Sequence, residues 1–149
     1  MRFDAKAPGS ICMSKLYESS CYCTNIRRCS NLLTDIYDEA LKESGLTIAQ
    51  YYLLINLSRL GKANITHWAE RIGLDRSTMV RNVKLLQKRE YIEETEGNGK
   101  TFKLSAVGEN VLEKAQRSWD NAQTELEGFL GPEDAQELLR LTRKLQELT

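Results

Sequence analysis

A basic window in the middle of the chain is the first feature whose residues could do chemistry. Between Arg71 and Arg89 there are six lysines and arginines against one acid, Asp75, so the window carries a net charge of +5. The whole chain has 21 basic and 21 acidic residues, and the remainder therefore carries −5. Segregation of charge on this scale favours a surface that binds a polyanion, because phosphates attract clustered cations.

Four cysteines form the second distinctive set, and all of them lie in the first fifth of the chain. A thiolate is a nucleophile and a metal ligand, whereas a buried thiol is a small apolar group, which is the commoner case. A zinc site is disfavoured because the spacing contains no paired Cys-x-x-Cys knuckles and His67 is the only histidine. We therefore expect neither a bound metal nor a cofactor. The cysteines are Cys12, Cys21, Cys23 and Cys29.

Length and composition indicate one ordinary globular domain. The chain has 149 residues, of which 41% are hydrophobic and 28% charged, and it contains neither an internal repeat nor a linker. No segment approaches the roughly 20 apolar residues of a membrane span, and residues 1–20 lack the apolar core of a signal peptide. We expect a single domain over residues 1–149, located in the cytoplasm, where thiols are normally reduced.

Two helices are predicted ahead of the basic window. Apolar residues recur at helical spacing over about residues 14–43, and Gly45 then ends the helix. A capping box formed by Thr47 and Gln50 begins the second helix, which ends before Gly61.

Two shorter helices with a tight break between them follow. Asn64 can cap the first of these, Gly73 ends it, and Asp75 can cap the next. The helix after Asp75 has an apolar stripe for the core and a polar stripe on another face. The apolar stripe consists of Met79, Val83 and Leu86, and the polar stripe of Ser77, Arg81, Lys84 and Lys88. A solvated helix face is the alternative interpretation of the polar stripe.

A small β-hairpin is predicted next, with strands over residues 91–95 and 101–104 around a turn in which Asn98 and Gly99 supply positive φ angles. Ser105 then caps a long helix, and Pro132 opens a last one. The order of elements predicts a mainly α protein, a winged helix-turn-helix with a small β-hairpin wing. The helices over about residues 14–45 and 105–148 have more apolar surface than a monomer is expected to cover, so we interpret them as dimerisation helices. They flank the segment of about residues 47–104, which we interpret as the DNA-binding lobe.

The residues do not favour an enzyme. The sequence contains no nucleophile with a base, no pair of carboxylates and no phosphate-cradling loop at the spacing that catalysis would need. Cys21-x-Cys23 lies in a helical context without the βαβ pattern of thiol oxidoreductases. A protein-interaction module without DNA binding is the alternative from another class, and it would show no salt-sensitive binding to DNA.

The segment from Asn64 to Leu86 and the motif Leu104-Ser-Ala-Val-Gly108 resemble the MarR family of bacterial transcription regulators. Similar residues occur in the first two helices, among them Tyr37-Asp-x-x-Leu41, so that the resemblance covers roughly residues 16–148. It implies a homodimer whose outer helices interlock and whose recognition helices enter successive major grooves of double-stranded DNA. It also implies a pseudo-palindromic operator and a wing at the minor groove.

The polar face of the helix after Asp75 and the wing are the DNA contacts that this resemblance implies. Arg81 can bind guanine through two hydrogen bonds. The wing is shorter than is usual in the family, with Gly97 and Asn98 at the place of its arginines, which leaves Lys100 as the best wing contact. Glu90 replaces the glycine that usually ends the recognition helix. The expected contacts are Arg76, Ser77, Thr78, Arg81, Lys84, Lys88 and Lys100.

A partial resemblance to the thiol-based, peroxide-sensing (OhrR-like) branch of the family concerns Cys23. That branch keeps its reactive thiol fourteen residues before a tyrosine that hydrogen-bonds it, and this tyrosine corresponds to Tyr37. The branch's other two tyrosines are missing, and Arg27 could substitute for them electrostatically. The resemblance implies a repressor that oxidation of Cys23 releases from its operator. The partners for a disulfide would be Cys12, Cys21 or Cys29.

A small-molecule inducer is the alternative trigger. If residues 21–29 are helical, Cys21 and Cys29 are about 12 Å apart, which is beyond the reach of a disulfide. A bridge would then need Cys12, the partner subunit or local unwinding. Alternatively, the cysteines are structural and a small aromatic or phenolic ligand releases the repressor.

Overall fold

Six α-helices and three short strands make up the described part of the chain, residues 20–148, in a computed structural model of the protein. The helices are α1 (Tyr22–Leu41), α2 (Ile48–Leu60), α3 (Ile65–Ile72), α4 (Arg76–Lys88), α5 (Ala106–Leu130) and α6 (Pro132–Gln146). The strands are β1 (Ala63–Asn64), β2 (Ile92–Thr95) and β3 (Thr101–Leu104), and a 3-10 turn, Lys42–Ser44, follows α1. The mainly helical winged helix-turn-helix predicted from the sequence is confirmed.

The chain divides into two compact units. One unit comprises residues 36–119 and contains α2, α3, α4 and the sheet; we call it the winged-helix unit. The described part of the other, the helical unit, comprises residues 20–35 and 120–148. Helices α1 and α5 each have residues in both units. Within residues 20–148, no helix combines the length and the apolar character that crossing a lipid bilayer requires. The interpretation of residues 1–149 as one domain stays a prediction.

The core of the winged-helix unit closes around two aromatic side chains, Trp68 of α3 and Phe102 of β3, which are 0% and 1% exposed. Helix α4 contributes Met79, Val83 and Leu86 to the same core, as its apolar stripe predicts. Because burying a side chain of this size stabilises the fold by about 1.5–3 kcal/mol, these three contacts hold the inner face of α4 firmly. The opposite face of the helix is therefore presented to solvent.

Side-chain caps confirm the predicted starts of three helices. Thr47 Oγ1 accepts a hydrogen bond from Gln50 N at 3.3 Å, and Gln50 Oε1 accepts one from Thr47 N at 3.2 Å. Asn64 and Asp75 cap α3 and α4 through a side-chain oxygen that accepts a backbone N–H. Each such cap stabilises its helix by about 1 kcal/mol.

The sheet has a third strand that the sequence did not indicate. Strand β1 is only two residues long and pairs antiparallel with β3, with Asn64 opposite Thr101, which gives the order β1-β3-β2. Two residues are too few to show an alternating pattern, so periodicity could not predict this strand.

Boundaries of α1 and of β2 differ from the prediction. Helix α1 ends at Leu41, where the 3-10 turn Lys42–Ser44 follows, instead of at about residue 43. Helix α1 begins at Tyr22 and Cys21 precedes it, with Asn25 N donating to Cys21 O at 3.1 Å, whereas residues 14–19 of the predicted helix lie outside the described residues. Strand β2 begins one residue later than predicted because Tyr91 lies in the turn that follows α4, where its N–H donates to Leu86 O at 3.0 Å.

The exit turn of α4, residues 89–91, keeps a glycine-like conformation without a glycine. Glu90 has φ 60° and is the one non-glycine residue with a positive φ among those described. A side chain in this left-handed region costs about 1–2 kcal/mol, so neighbouring contacts must hold it there.

Candidate nucleic-acid interface

The exposed face of α4 carries the polar stripe that the sequence predicts. Ser77, Arg81, Lys84 and Lys88 are all exposed, and the spacing of four, three and four residues places them on one side of the helix. The stripe runs for about 16 Å along the helix axis. A major groove of about 12 Å width admits one helix, and a cationic face of this length lies within reach of several phosphates and base edges.

Asp75 organises the first turn of α4. Ser77 Oγ donates to Asp75 Oδ1 at 2.5 Å, and Thr78 N donates to the same oxygen at 2.9 Å. The hydrogen bonds from the Ser77 and Thr78 side chains, followed by that from the Thr78 backbone, hold the pKa of the Asp75 carboxyl well below its usual range. The Ser77 hydroxyl thus supports the cap in the free protein.

Two arginines of the stripe region are already restrained by threonines. Arg76 Nη1 donates to Thr66 Oγ1 of α3 at 3.2 Å, and Arg81 Nη2 donates to Thr78 Oγ1 at 3.2 Å. Both guanidinium groups stay exposed. Since each guanidinium has five N–H donors, most remain available for a phosphate or a guanine, and restraint before binding lowers the entropic cost of the contact.

Lys100 lies in the loop between β2 and β3, where it is exposed as predicted. Only Gly99 of the predicted Asn98-Gly99 pair has a positive φ, 73°, because five residues join the strands and two consecutive left-handed residues are not required. A Cβ atom on Gly97 would lie 2.3 Å from Thr101 Oγ1, so this loop needs a glycine there.

One of the two lysines of the wing, Lys103, is paired with a carboxylate. Lys103 lies opposite Glu93 in the register of β2 and β3, and its Nζ is 2.9 Å from Glu93 Oε1. Strand alternation therefore turns Lys103 to a carboxylate, which leaves Lys100 as the wing lysine predicted to contact DNA.

One apolar residue on this face was missed by sequence reasoning. Leu85 is 52% exposed and lies on α4 four residues after Arg81 and three before Lys88, on the flank of the polar stripe. An exposed leucine is unremarkable by itself. Beside a basic stripe it is suited to the apolar C5-methyl group of thymine in a major groove.

The described cysteines belong to the helical unit. Cys21, Cys23 and Cys29 are exposed, and Arg27 Nη2 lies 3.9 Å from Cys23 Sγ. Cys21 precedes the N-terminus of α1, and hydrogen bonds from the Thr24 side chain and backbone lower the pKa of its thiol. The sequence prediction placed Cys21 inside a longer helix, and it therefore missed the position of this thiol just ahead of the helix N-terminus. Cys12 lies outside the described residues.

Tyr37 belongs to the winged-helix unit, where it packs against another aromatic ring. It stacks on Trp119 with 6.4 Å between ring centroids, and Trp119 stacks on Tyr51 at 5.9 Å. The Tyr51 hydroxyl donates to Gln116 Oε1 at 2.6 Å. The predicted hydrogen bond from Tyr37 to Cys23 stays a prediction.

Residues 20–148 contain no group of three or more His, Cys, Asp or Glu that could hold a metal ion.

The fold and the basic face of α4 define a winged helix-turn-helix DNA-binding protein. Residues 44–100 match the profile of the MarR family. The chain is similar to the transcriptional regulator MosR of M. tuberculosis, with 30% identity over 87% of this chain and 98% of that chain and a TM-score of 0.71. The chain belongs to the MarR family of transcription regulators, which are not enzymes.

Two further structures show the same fold. A complex of MosR with DNA has 28% identity over 86% of this chain and 98% of that chain, with a TM-score of 0.72. Sco5413, a MarR family regulator from Streptomyces coelicolor, has 23% identity over 85% of this chain and 91% of that chain, with a TM-score of 0.75. A comparison with curated protein sequences finds no match.

Proposed function

We propose that the protein is a homodimeric repressor that binds a pseudo-palindromic operator through α4 and the wing. The observation that carries this proposal is the exposed polar stripe of α4, held outward by the buried residues of the opposite face. The similarity to MosR, which has been crystallised in complex with DNA, supports it. Half-sites one helical turn apart, about 34 Å, match a two-fold symmetric dimer.

The proposed contacts divide into positioning and sequence reading. Arg81, near the middle of the stripe, pairs with guanine O6 and N7, while Lys84 and Lys88 bind phosphates. Lys100 binds the backbone at the minor groove. The first-turn residues Arg76, Ser77 and Thr78 contact phosphates or base edges next to the helix N-terminus, where the helix dipole also favours an anion.

Exposed apolar side chains of the helical unit support the homodimer. Leu141 and Leu145 of α6 are 44% and 46% exposed, and Phe129 of α5 is 73% exposed. Large apolar surfaces of this kind are usually covered by a partner. A second copy of the chain covers them in the proposed dimer, and light scattering that returns twice the 17.0 kDa chain mass tests this.

Oxidation of Cys23 is the proposed trigger for release from DNA. Its thiol is exposed, so an oxidant can reach it, and its sulfur lies 3.9 Å from Arg27 Nη2. The thiolate attacks an oxygen of an organic hydroperoxide, the O–O bond breaks, and the sulfur becomes a sulfenic acid while the alkoxide leaves and takes up a proton as the alcohol. A disulfide with Cys21, Cys29 or Cys12 can follow if local unwinding or the partner subunit brings the thiols together, with loss of water.

Release by a small aromatic or phenolic ligand is the second candidate trigger. The winged-helix unit contains a cleft of about 520 Å³ lined by Leu104 and Leu112 together with the polar or charged residues Ser58, Glu109, Glu113, Gln116 and Arg117. Its volume lies within the range of about 300–1,000 Å³ that is typical of ligand sites. In this alternative the cysteines are structural and oxidants leave DNA binding unchanged.

The first experiment selects operators from random-sequence duplexes and then measures binding of the reduced protein by fluorescence anisotropy. With eight to ten phosphate contacts per dimer, log affinity should fall against log salt with a slope of about −7 to −9. A slope near zero would contradict DNA binding and favour an interaction module. Titration with organic hydroperoxide and then dithiothreitol, with Cys23→Ser as control, tests the trigger: wild type loses and regains binding, whereas the variant does not respond.

A further inference from the structure

The exit turn of α4 is hydrogen-bonded to two other elements of the winged-helix unit. Arg89 Nη1 donates to the carbonyl oxygen of Gly45, in the turn between α1 and α2, at 2.7 Å. On the other side, Ser105 Oγ donates to Glu90 O, and Ser105 N donates to Tyr91 O at 3.1 Å. The end of the recognition helix is thus held between the α1–α2 turn and the start of α5.

The acceptor of Arg89 is fixed in place by its own neighbours. Leu41 and Leu46, on either side of Gly45, are 0% and 3% exposed in the core. Asp38 Oδ1 accepts a hydrogen bond from Ile48 N at 2.6 Å, which ties the last turns of α1 to the first residue of α2. A hydrogen bond to a carbonyl in so rigid a turn restricts where the end of α4 can lie.

The start of α5 is packed directly on the other side of the exit turn. A Cβ atom on Gly108 would lie 1.9 Å from Tyr91 O, so only a glycine allows this approach of α5 to the backbone. Gly108 N donates to Ser105 Oγ at 3.0 Å, which orients the hydroxyl toward Glu90 O. The exit turn is thus hydrogen-bonded to the turn after α1 on one side and to the start of α5 on the other. Helices α1 and α5 are the two helices that continue into the helical unit.

We infer that Arg89 is a positioning residue that sets the orientation of α4 and does not bind DNA phosphates. It ends the basic window, so charge alone would count it among the phosphate contacts. The contact with Gly45 O instead directs its guanidinium to the α1–α2 turn. Any shift of that turn then changes where the stripe of α4 meets the groove. This inference rests on the proposed function, because a positioning role presupposes a helix that binds DNA.

The test compares Arg89→Ala with Lys88→Ala, which removes one charge from the adjacent exposed residue of α4. A lost phosphate contact makes the salt slope less negative by about 0.9 per subunit, or about 1.8 per dimer. We expect this change for Lys88→Ala, together with weaker binding to every duplex. For Arg89→Ala we expect the wild-type slope and unchanged binding to unrelated DNA, but operator affinity lower by about tenfold, within the usual range of allosteric couplings.

A second variant and a measurement of folding by circular dichroism separate a positioning role of Arg89 from a loss of folding. Arg89→Met keeps most of the aliphatic stem and loses the guanidinium with its donors and its charge, and it should reproduce Arg89→Ala in variants that circular dichroism shows to be folded. A slope change like that of Lys88→Ala, or wild-type operator affinity in both variants, would overturn the inference. If the wild-type protein binds no duplex in a salt-dependent way, the proposed function itself fails, whatever the Arg89 variants do.

Discussion

The carbonyl oxygen of Glu90 at the end of the recognition helix accepts a hydrogen bond from the hydroxyl of Ser105 at the start of α5. The same hydroxyl oxygen accepts the backbone N–H of Gly108 at 3.0 Å. One serine therefore caps α5 and secures the left-handed turn in which Glu90 has φ 60°. The strained turn and the helix cap are parts of one hydrogen-bonded structure, and variants of the two residues should affect stability in opposite directions.

Ser105→Ala should destabilise the protein by about 1–2 kcal/mol, because it leaves the Gly108 N–H and the Glu90 carbonyl without this partner. Urea denaturation followed by circular dichroism measures the change. Ser105→Thr keeps the hydroxyl and is the matched control, for which we expect a small effect. Equal loss in both variants would show that the hydroxyl is not the stabilising group.

Glu90→Gly should raise the free energy of unfolding by up to about 1 kcal/mol. Glycine removes the steric cost of the left-handed conformation, and the greater freedom of the unfolded chain offsets only part of this gain. The urea midpoint of this variant is compared with that of Glu90→Ala, which removes the carboxylate but keeps the Cβ atom. Stabilisation of the alanine variant to the same extent would assign the effect to charge instead of backbone strain.

Local signals account for what the sequence predicts well. Asp75 is a cap followed by apolar residues at helical spacing, and these features require no knowledge of distant contacts. Strand β1 was missed because its two residues gain their structure only from pairing with β3. By charge, Arg89 belongs to the basic window. Its acceptor, Gly45, is 44 residues away and no periodicity links the two, so the sequence could not predict this contact. The stripe could thus be predicted, but the contacts that orient it could not.

Asp75 should make stability depend on pH in the acid range. Its hydrogen bonds with Ser77 and Thr78 hold the carboxyl pKa below the unfolded value of about 3.9, so the folded state binds this proton more weakly than the unfolded state. Its contribution is present above about pH 4 and is lost as the pH falls further. Asp75→Asn keeps a capping oxygen without a titrating group. The stability advantage of wild type over this variant should shrink below about pH 4, and a constant difference would contradict the assignment.

Cys21 should be alkylated faster than Cys29 at neutral pH. Hydrogen bonds from Thr24 lower the Cys21 pKa, and its place at the start of α1 also favours the thiolate. Mass spectrometry after short exposure to iodoacetamide measures each rate. Thr24→Val keeps the shape of the side chain, removes its hydroxyl and should slow the reaction of Cys21 alone. An unchanged rate in this variant would show that the hydrogen bond does not activate the thiol.

Leu85 should read a thymine methyl group in the operator. The side chain is 52% exposed on the flank of the polar stripe, so the proposed docking of α4 brings it within reach of a base edge in the major groove. Uracil lacks the C5-methyl group, and losing one buried methyl costs about 0.8 kcal/mol, or about fourfold in affinity per half-site. Replacing each operator thymine in turn by uracil should weaken wild-type binding at one position per half-site. Leu85→Ala should be insensitive to that replacement, whereas Leu74→Ala, which alters an exposed leucine outside α4, should retain the sensitivity. If the Leu85 variant still distinguishes thymine from uracil at every position, the leucine does not contact the base.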